Sequence, residues 1–270
     1  MPDRPGDRYT HGHHDSVLSS HRTRSAADSA AYLLPRLEPG QRLLDVGCGP
    51  GTITVGLAAR VAPGPVVALD REAAVLAEVE QLAAARGQPN VACAVGDVYA
   101  LEYEDDAFDV VHAHQLLQHL SDPVAALREM GRVTRPGGIV AARDADYGAM
   151  TWHPAEPLMD RWLEIYRAVA RANGAEPDAG RRLLSWAQEA GYSAVEPSAS
   201  VWLFADGERR GWWSETWARR TLESAMAAQA VEQGLASRDE LARIAKAWRA
   251  WARRPDAWFS VLHGEILATP

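Results

Sequence analysis

The feature that most restricts this 270-residue chain is the run Leu43-Leu44-Asp45-Val46-Gly47-Cys48-Gly49-Pro50-Gly51-Thr52. An apolar stretch feeds a turn with glycines at three alternate positions, and a helix-like segment, Thr52 to Val61, follows. Glycines let the backbone approach a ligand closely, and the helix N-terminus offers unpaired N–H groups to a carboxylate or phosphate. The spacing is Gly-x-Gly-x-Gly, whereas dinucleotide sites carry Gly-x-Gly-x-x-Gly. Asp45 also stands two residues before the first glycine. It would repel a pyrophosphate and favour a cation.

The surrounding pattern repeats strand and helix. Short apolar runs at Val66 to Leu69, Val91 to Val95, Phe108 to Ala113 and Ile139 to Arg143 predict strands. Between them, Glu72 to Arg86 and Pro123 to Arg132 have helical spacing, and Pro136-Gly137-Gly138 predicts a stop. Such alternation implies a parallel, doubly wound sheet. Ahead of it, Ser25 to Leu37 predicts a helix ended by Pro39-Gly40. Behind it, Glu156 to Asn173 and Ala179 to Ala190 predict helices, and Ser193 to Phe204 a strand. Residues 208–256 read as helical and tryptophan-rich. Ser237 and Glu240 match a capping box that opens a helix with Leu241, Ile244, Trp248 and Trp251 on one face. Trp258 to Leu267 alternates and predicts a final strand. The expected organisation is an N-terminal arm and helix (1–38), a core (39–205), a helical insertion (206–256) and a terminal strand returning to the sheet (257–270).

Composition narrows the partners. The net charge of -8 leaves no basic footprint for nucleic acid, and the paired arginines (Arg181-Arg182, Arg209-Arg210, Arg219-Arg220, Arg253-Arg254) are expected on solvated helix faces. Two cysteines, Cys48 and Cys93, exclude a disulfide framework and a cysteine-rich zinc site. No metal is expected. Met1 to Tyr9 is polar, and no apolar stretch reaches the length of a membrane span, so a cytoplasmic protein without membrane contact is expected. A homodimer is compatible with the sequence.

Two further acids end strands, Asp70 after the second and Asp97 after the third. An acid at the first position can accept both hydroxyls of a ribose, and the second can hold an adenine amino group. The alternative for each is a cap on the following helix.

Together, Leu44 to Thr52, Val66 to Asp70, Val95 to Val98, Phe108 to Leu120 and Ala126 to Gly138 resemble the class I S-adenosylmethionine (SAM)-dependent methyltransferases. More narrowly they resemble the small-molecule group typified by ubiquinone and menaquinone biosynthesis. The resemblance implies a Rossmann-like, seven-stranded, mostly parallel sheet, with the helical arm before it and a helical lid insertion ahead of the last strand. It implies SAM as cofactor, with Asp45, Gly47, Gly49 and Gly51 around its methionine part. Asp70, with Arg71 beside it, would hold the ribose, Asp97 and Val98 the adenine, and His114 and Gln115 would border the sulfonium.

Methyl transfer needs a base only when the acceptor must lose a proton. The candidates are His119, Asp144 and Asp146, the two acids lying just past the fifth strand; the alternative is a packed loop histidine and turn caps. Some related enzymes place a His–Asp pair here, and the matching histidine position in this chain is Gln118, next to His119. The N-terminal histidines (His11, His13, His14, His21) lack the acid and cysteine pattern of a zinc site. They suit an arm over the cofactor, with Tyr9, His13 and Arg24 as its closing groups. Ten tryptophans, most of them after residue 160, offer in Trp212, Trp213, Trp217, Trp248 and Trp251 either an aromatic acceptor wall or ordinary core. The expected activity is methyl transfer to O, C or N of a small, largely apolar or aromatic metabolite. The alternatives are a SAM-binding protein without transfer and an NAD(P)-dependent oxidoreductase.

Overall fold

A computed structural model describes residues 22–270. The first helix that lies wholly within the described residues, α1 (Ala26–Ser29), has a reciprocal capping box between Ser25 and Asp28. It is far shorter than the helix predicted for Ser25 to Leu37. Pro35 cannot donate its missing N–H and disfavours helical geometry in the residue before it, so the chain breaks into turns and a 3-10 segment, Leu34–Arg36.

The strands are β1 (Leu43–Val46), β2 (Val66–Asp70), β3 (Val91–Val95), β4 (Phe108–His114), β5 (Thr134–Ala145), β6 (Thr151–His153), β7 (Ala194–Phe204) and β8 (Trp258–Thr269). The remaining helices are α2 (Thr54–Val61), α3 (Ala73–Ala85), α4 (Pro123–Val133), α5 (Pro157–Ala172), α6 (Leu183–Ala190), α7 (Gly207–Glu223), α8 (Ala225–Glu232) and α9 (Arg238–Trp251). The mixed α/β class and the mostly parallel sheet agree with expectation.

Strands β3-β2-β1-β4-β5 are all parallel, and β8 lies antiparallel to β5. One edge of β8 carries β7 along its length; the other is shared by β5 and the three-residue β6. That short β6 makes the sheet eight-stranded, one more than predicted. The predicted stop at Pro136-Gly137-Gly138 is instead a register shift inside β5: Thr134 pairs with Phe108, and pairing resumes at Ile139 with Val110. Strand order reverses between β1 and β4, which opens a crevice at their carboxyl ends.

Two apolar layers sandwich the sheet. Leu44, Val111 and Val140 pack under α4 and α6, while Leu43, Val110 and Ala141 pack under α1 and α2. A separate aromatic core joins α5 and α7–α9 to the ends of β7 and β8, with Trp162, Trp217, Trp248 and Phe259 all buried at its centre. The predicted face of α9 (Leu241, Ile244, Trp248, Trp251) is buried there. The capping box of α9 is only half formed. Ser237 accepts from the Glu240 N–H, but the Glu240 carboxylate accepts from Arg161 Nε at 2.9 Å.

The arginine pairs also depart from expectation, since Arg210 and Arg220 are buried. Arg210 donates to the carbonyls of Ala205, Ala252 and Ala257 and so ties the start of α7 to the chain after α9. Arg220 lies 5.0 Å from the centre of the Trp217 ring. A guanidinium can be buried when carbonyls and aromatic faces replace its water.

Candidate active site

A cavity of about 510 Å³ opens at the carboxyl ends of β1, β2 and β4. Its first half is made of the glycine turn and the strand-end acids. Gly49 has φ 53° and open space where a side chain would stand, so it leaves room for a ligand against the backbone. Gly51 has φ 77°, and a Cβ there would lie 2.8 Å from Val79, so this residue seats α3 against the turn. Asp70 Oδ2 accepts from the Gly49 N–H and Oδ1 from the Glu72 N–H, each at 3.0 Å. This carboxylate therefore braces the turn and caps the next segment while still lining the cavity. Asp97, exposed, accepts from the Tyr99 N–H, with Val98 buried beside it.

Asp45 is only 3% exposed and is held through both oxygens: Thr54 Oγ1 donates at 2.5 Å and His112 Nδ1 at 2.8 Å. A second chain of bonds crosses the neighbouring wall. Arg24 donates to Gln115 Oε1 at 2.8 Å, Gln115 Nε2 donates to His263 Nε2 at 2.8 Å, and His263 Nδ1 donates to the Val261 carbonyl at 3.2 Å. Each donor meets an acceptor only if His263 is neutral. Burial and the charges of Arg143 and Arg24 push its pKa well down, in agreement. Gln115 adopts φ 51°, an uncommon conformation for a residue with a side chain. Two guanidinium groups lie over the Trp202 ring, that of Arg143 at 4.9 Å and that of Arg24 at 5.5 Å from its centre.

The second half is aromatic. Phe204 from β7 stacks on Trp213 at 4.3 Å, and Trp212, Trp217, Tyr147 and Met150 continue the wall. Trp248 and Trp251 do not reach it; they belong to the core beneath.

A profile of the methyltransferase domain matches residues 37–191. An uncharacterized methyltransferase of Schizosaccharomyces pombe is 36% identical over 96% of this chain and 95% of its own length. The malonyl-[acyl-carrier protein] O-methyltransferase of Halorhodospira halophila is 34% identical over 87% of this chain and 78% of its own. The chain is a SAM-dependent methyltransferase. Among solved structures, a phosphoethanolamine N-methyltransferase of Haemonchus contortus in complex with SAM superposes with a TM-score of 0.55 at 19% identity. That match covers 89% of this chain and 52% of the other, and shares the fold. The cofactor is SAM, and the residues present fit it. Open space at Gly49 and carboxylates at the ends of β1 and β2 suit an amino acid, a sulfonium and a ribose better than a pyrophosphate.

Of the groups foreseen for this methyltransferase, Arg24, Asp45, Gly47, Gly49, Asp70, Arg71, Asp97, Val98, His114, Gln115 and His119 all line the cavity. Gly51 stands behind the turn, and Tyr9 and His13 lie outside the described residues.

Two of the three base candidates are elsewhere. Asp144 is completely buried beneath the turn after β4, where its Oδ1 accepts from the Gln118 N–H at 3.0 Å. Burial raises its pKa to about 7 against two backbone N–H donors and Arg143. Asp146 is bound bidentately by Arg181, both contacts at 2.6 Å. The strand continues past the crevice, so acids at its end turn into packing instead of opening onto the ligand. His119 does face the cavity, but Gln118 Oε1 accepts from the Ala145 N–H, which directs the Gln118 NH2 at His119 Nε2, 3.0 Å away. That lone pair is therefore occupied, and burial lowers the His119 pKa to about 3.

Thr54, His112, His263 and Trp202 were not foreseen. A signal for His112 and His114 exists in Val110-Val111-His112-Ala113-His114: two histidines at alternate positions of an apolar strand share one face. No local pattern marks the other three. Among the described residues, no group of three or more potential ligands is placed to hold a metal, and no helix is long and apolar enough to cross a membrane.

Proposed function

We propose that this enzyme transfers the methyl group of SAM to oxygen, carbon or nitrogen of a small, largely apolar or aromatic acceptor. The observation that carries this reading is the division of one cavity between strand-end acids and an aromatic wall. Asp45, Gly47, Gly49 and Gly51 surround the methionine part, Asp70 and Arg71 the ribose, and Asp97 and Val98 the adenine. His114 and Gln115 border the sulfonium, with Arg24 closing the wall through Gln115. SAM supplies a carbon already activated by the sulfonium, so the protein's work is to orient the acceptor and exclude water. The insertion 206–256 serves as the acceptor lid on the core 39–205, ahead of the terminal segment 257–270.

Calorimetric titration with SAM, S-adenosylhomocysteine and NAD, followed by a labelled-methyl screen of aromatic against polar acceptors, tests this. Binding of the first two without NAD, and label only in apolar products, is expected. Label confined to polar or macromolecular acceptors would overturn the acceptor class.

A further inference from the structure

We propose that the imidazole of His114 receives the proton that the acceptor releases during methyl transfer, a role that rests on the reading above. His114 ends β4 where the two halves of the cavity meet, between the glycine turn and Trp202, whose ring centre is 5.9 Å away. It is 7% exposed, and neither ring nitrogen has a hydrogen-bond partner. A buried polar ring with nothing to hold is costly, and such groups are ordinarily paired. The other candidates around it are already committed. His112 and Thr54 share Asp45, His263 lies within the Arg24–Gln115 chain, His119 accepts from Gln118, and Asp146 is locked by Arg181.

Electrostatics set the timing. His114 is faced by Arg24 from the segment before α1, Arg143 from β5, His263 from β8 and His112 from its own strand. Burial, followed by these groups, pushes its pKa well below the ordinary 6.5, so the resting ring is neutral and its lone pair is free. As a lone pair of the acceptor oxygen bonds to the methyl carbon, the carbon–sulfur bond breaks with its electron pair on sulfur. The acceptor O–H bond leaves its electrons on oxygen and its proton on His114. One positive charge is lost at sulfur and one appears on the imidazole, so the net charge of the buried site is unchanged. The ring thus becomes a better base as the repelling charge disappears. This exchange suits an acidic hydroxyl and points to a hydroxylated aromatic acceptor. The proton leaves to solvent when product departs.

The test uses the full chain, with phenol, catechol and hydroquinone as acceptor probes. His114→Gln and His114→Ala, assayed at saturating SAM, should methylate any probe used by the wild type about 100-fold or more slowly. Added imidazole should partly restore His114→Ala. Rates at saturating SAM within threefold of wild type would overturn the proposal. A second measurement needs no acceptor: nitrogen-15 NMR of the histidine rings in the wild type. The His114 titration midpoint should be higher in the S-adenosylhomocysteine complex than in the SAM complex, and equal midpoints would overturn the proposal. A protein that binds SAM but methylates none of the phenols refutes the acceptor class, while the midpoints still judge His114.

Discussion

The half of the cavity at the glycine turn, proposed for the cofactor, is made of backbone and short acids, whereas the half proposed for the acceptor is made of large side chains carried by β7 and α7. In the first, Gly49 and Asp70 are joined by a single N–H to carboxylate bond, and the space exists because a side chain is missing. In the second, Phe204, Trp212, Trp213 and Trp217 make the surface, and Trp217 also belongs to the aromatic core behind it. The difference separates two properties. On the proposed assignment, cofactor affinity depends on local backbone shape, while acceptor choice depends on how helices far along the chain pack.

Substitutions can break or sharpen that contrast. The largest effect is expected from Gly49→Leu, which places a branched side chain in the cavity at a left-handed backbone position. SAM affinity by calorimetry should fall at least about 100-fold with the fold retained, and binding within a few-fold of wild type would show that SAM does not lie on this turn. Asp70→Ala removes the carboxylate that braces Gly49, and should weaken SAM about 10- to 100-fold with little change in the unfolding midpoint. Unchanged affinity would remove Asp70 from the ribose site.

Trp212→Ala tests the other half. It is only partly buried, so the protein should remain folded, the acceptor KM should rise roughly 5- to 10-fold, and SAM affinity should stay within about twofold. A matching loss of SAM affinity would erase the separation between the halves. The smallest effect on binding is expected from Asp144→Asn, because Asp144 lies outside the cavity. Its effect is on stability. With a folded pKa raised from 3.8 to about 7, the folded protein holds a proton that the unfolded chain has released, so stability falls as pH rises through that window. Urea unfolding at pH 5 and pH 8 should show a smaller loss for Asp144→Asn than for the wild type. An equal loss would mean that Asp144 does not titrate there.

Parts of this division were legible from residues alone and parts were not. The alternation of strands and helices, the glycine turn and the strand-end positions of Asp70 and Asp97 are local patterns, and their geometry follows from neighbours a few residues away. Asp144 and Asp146 misled because their place after a strand says nothing of which way the chain turns next. Arg181, which binds Asp146, and Gln118, whose N–H reaches Asp144, come from other segments. Arg210 misled in the same way, since its carbonyl partners Ala252 and Ala257 lie across the insertion.

The sequence by itself determined the alternation of strands and helices that builds the parallel sheet and the glycine turn that lines the cavity, because hydrophobic periodicity and glycine spacing constrain the backbone directly. Only the tertiary structure decided which tryptophans line the cavity and which fill the core, and which histidines are already bonded. It left His114 buried without a partner where β4, β7 and the glycine turn converge. The physical reason is that a side chain's availability is set by every group packed around it, and those groups come from strands and helices distant in sequence.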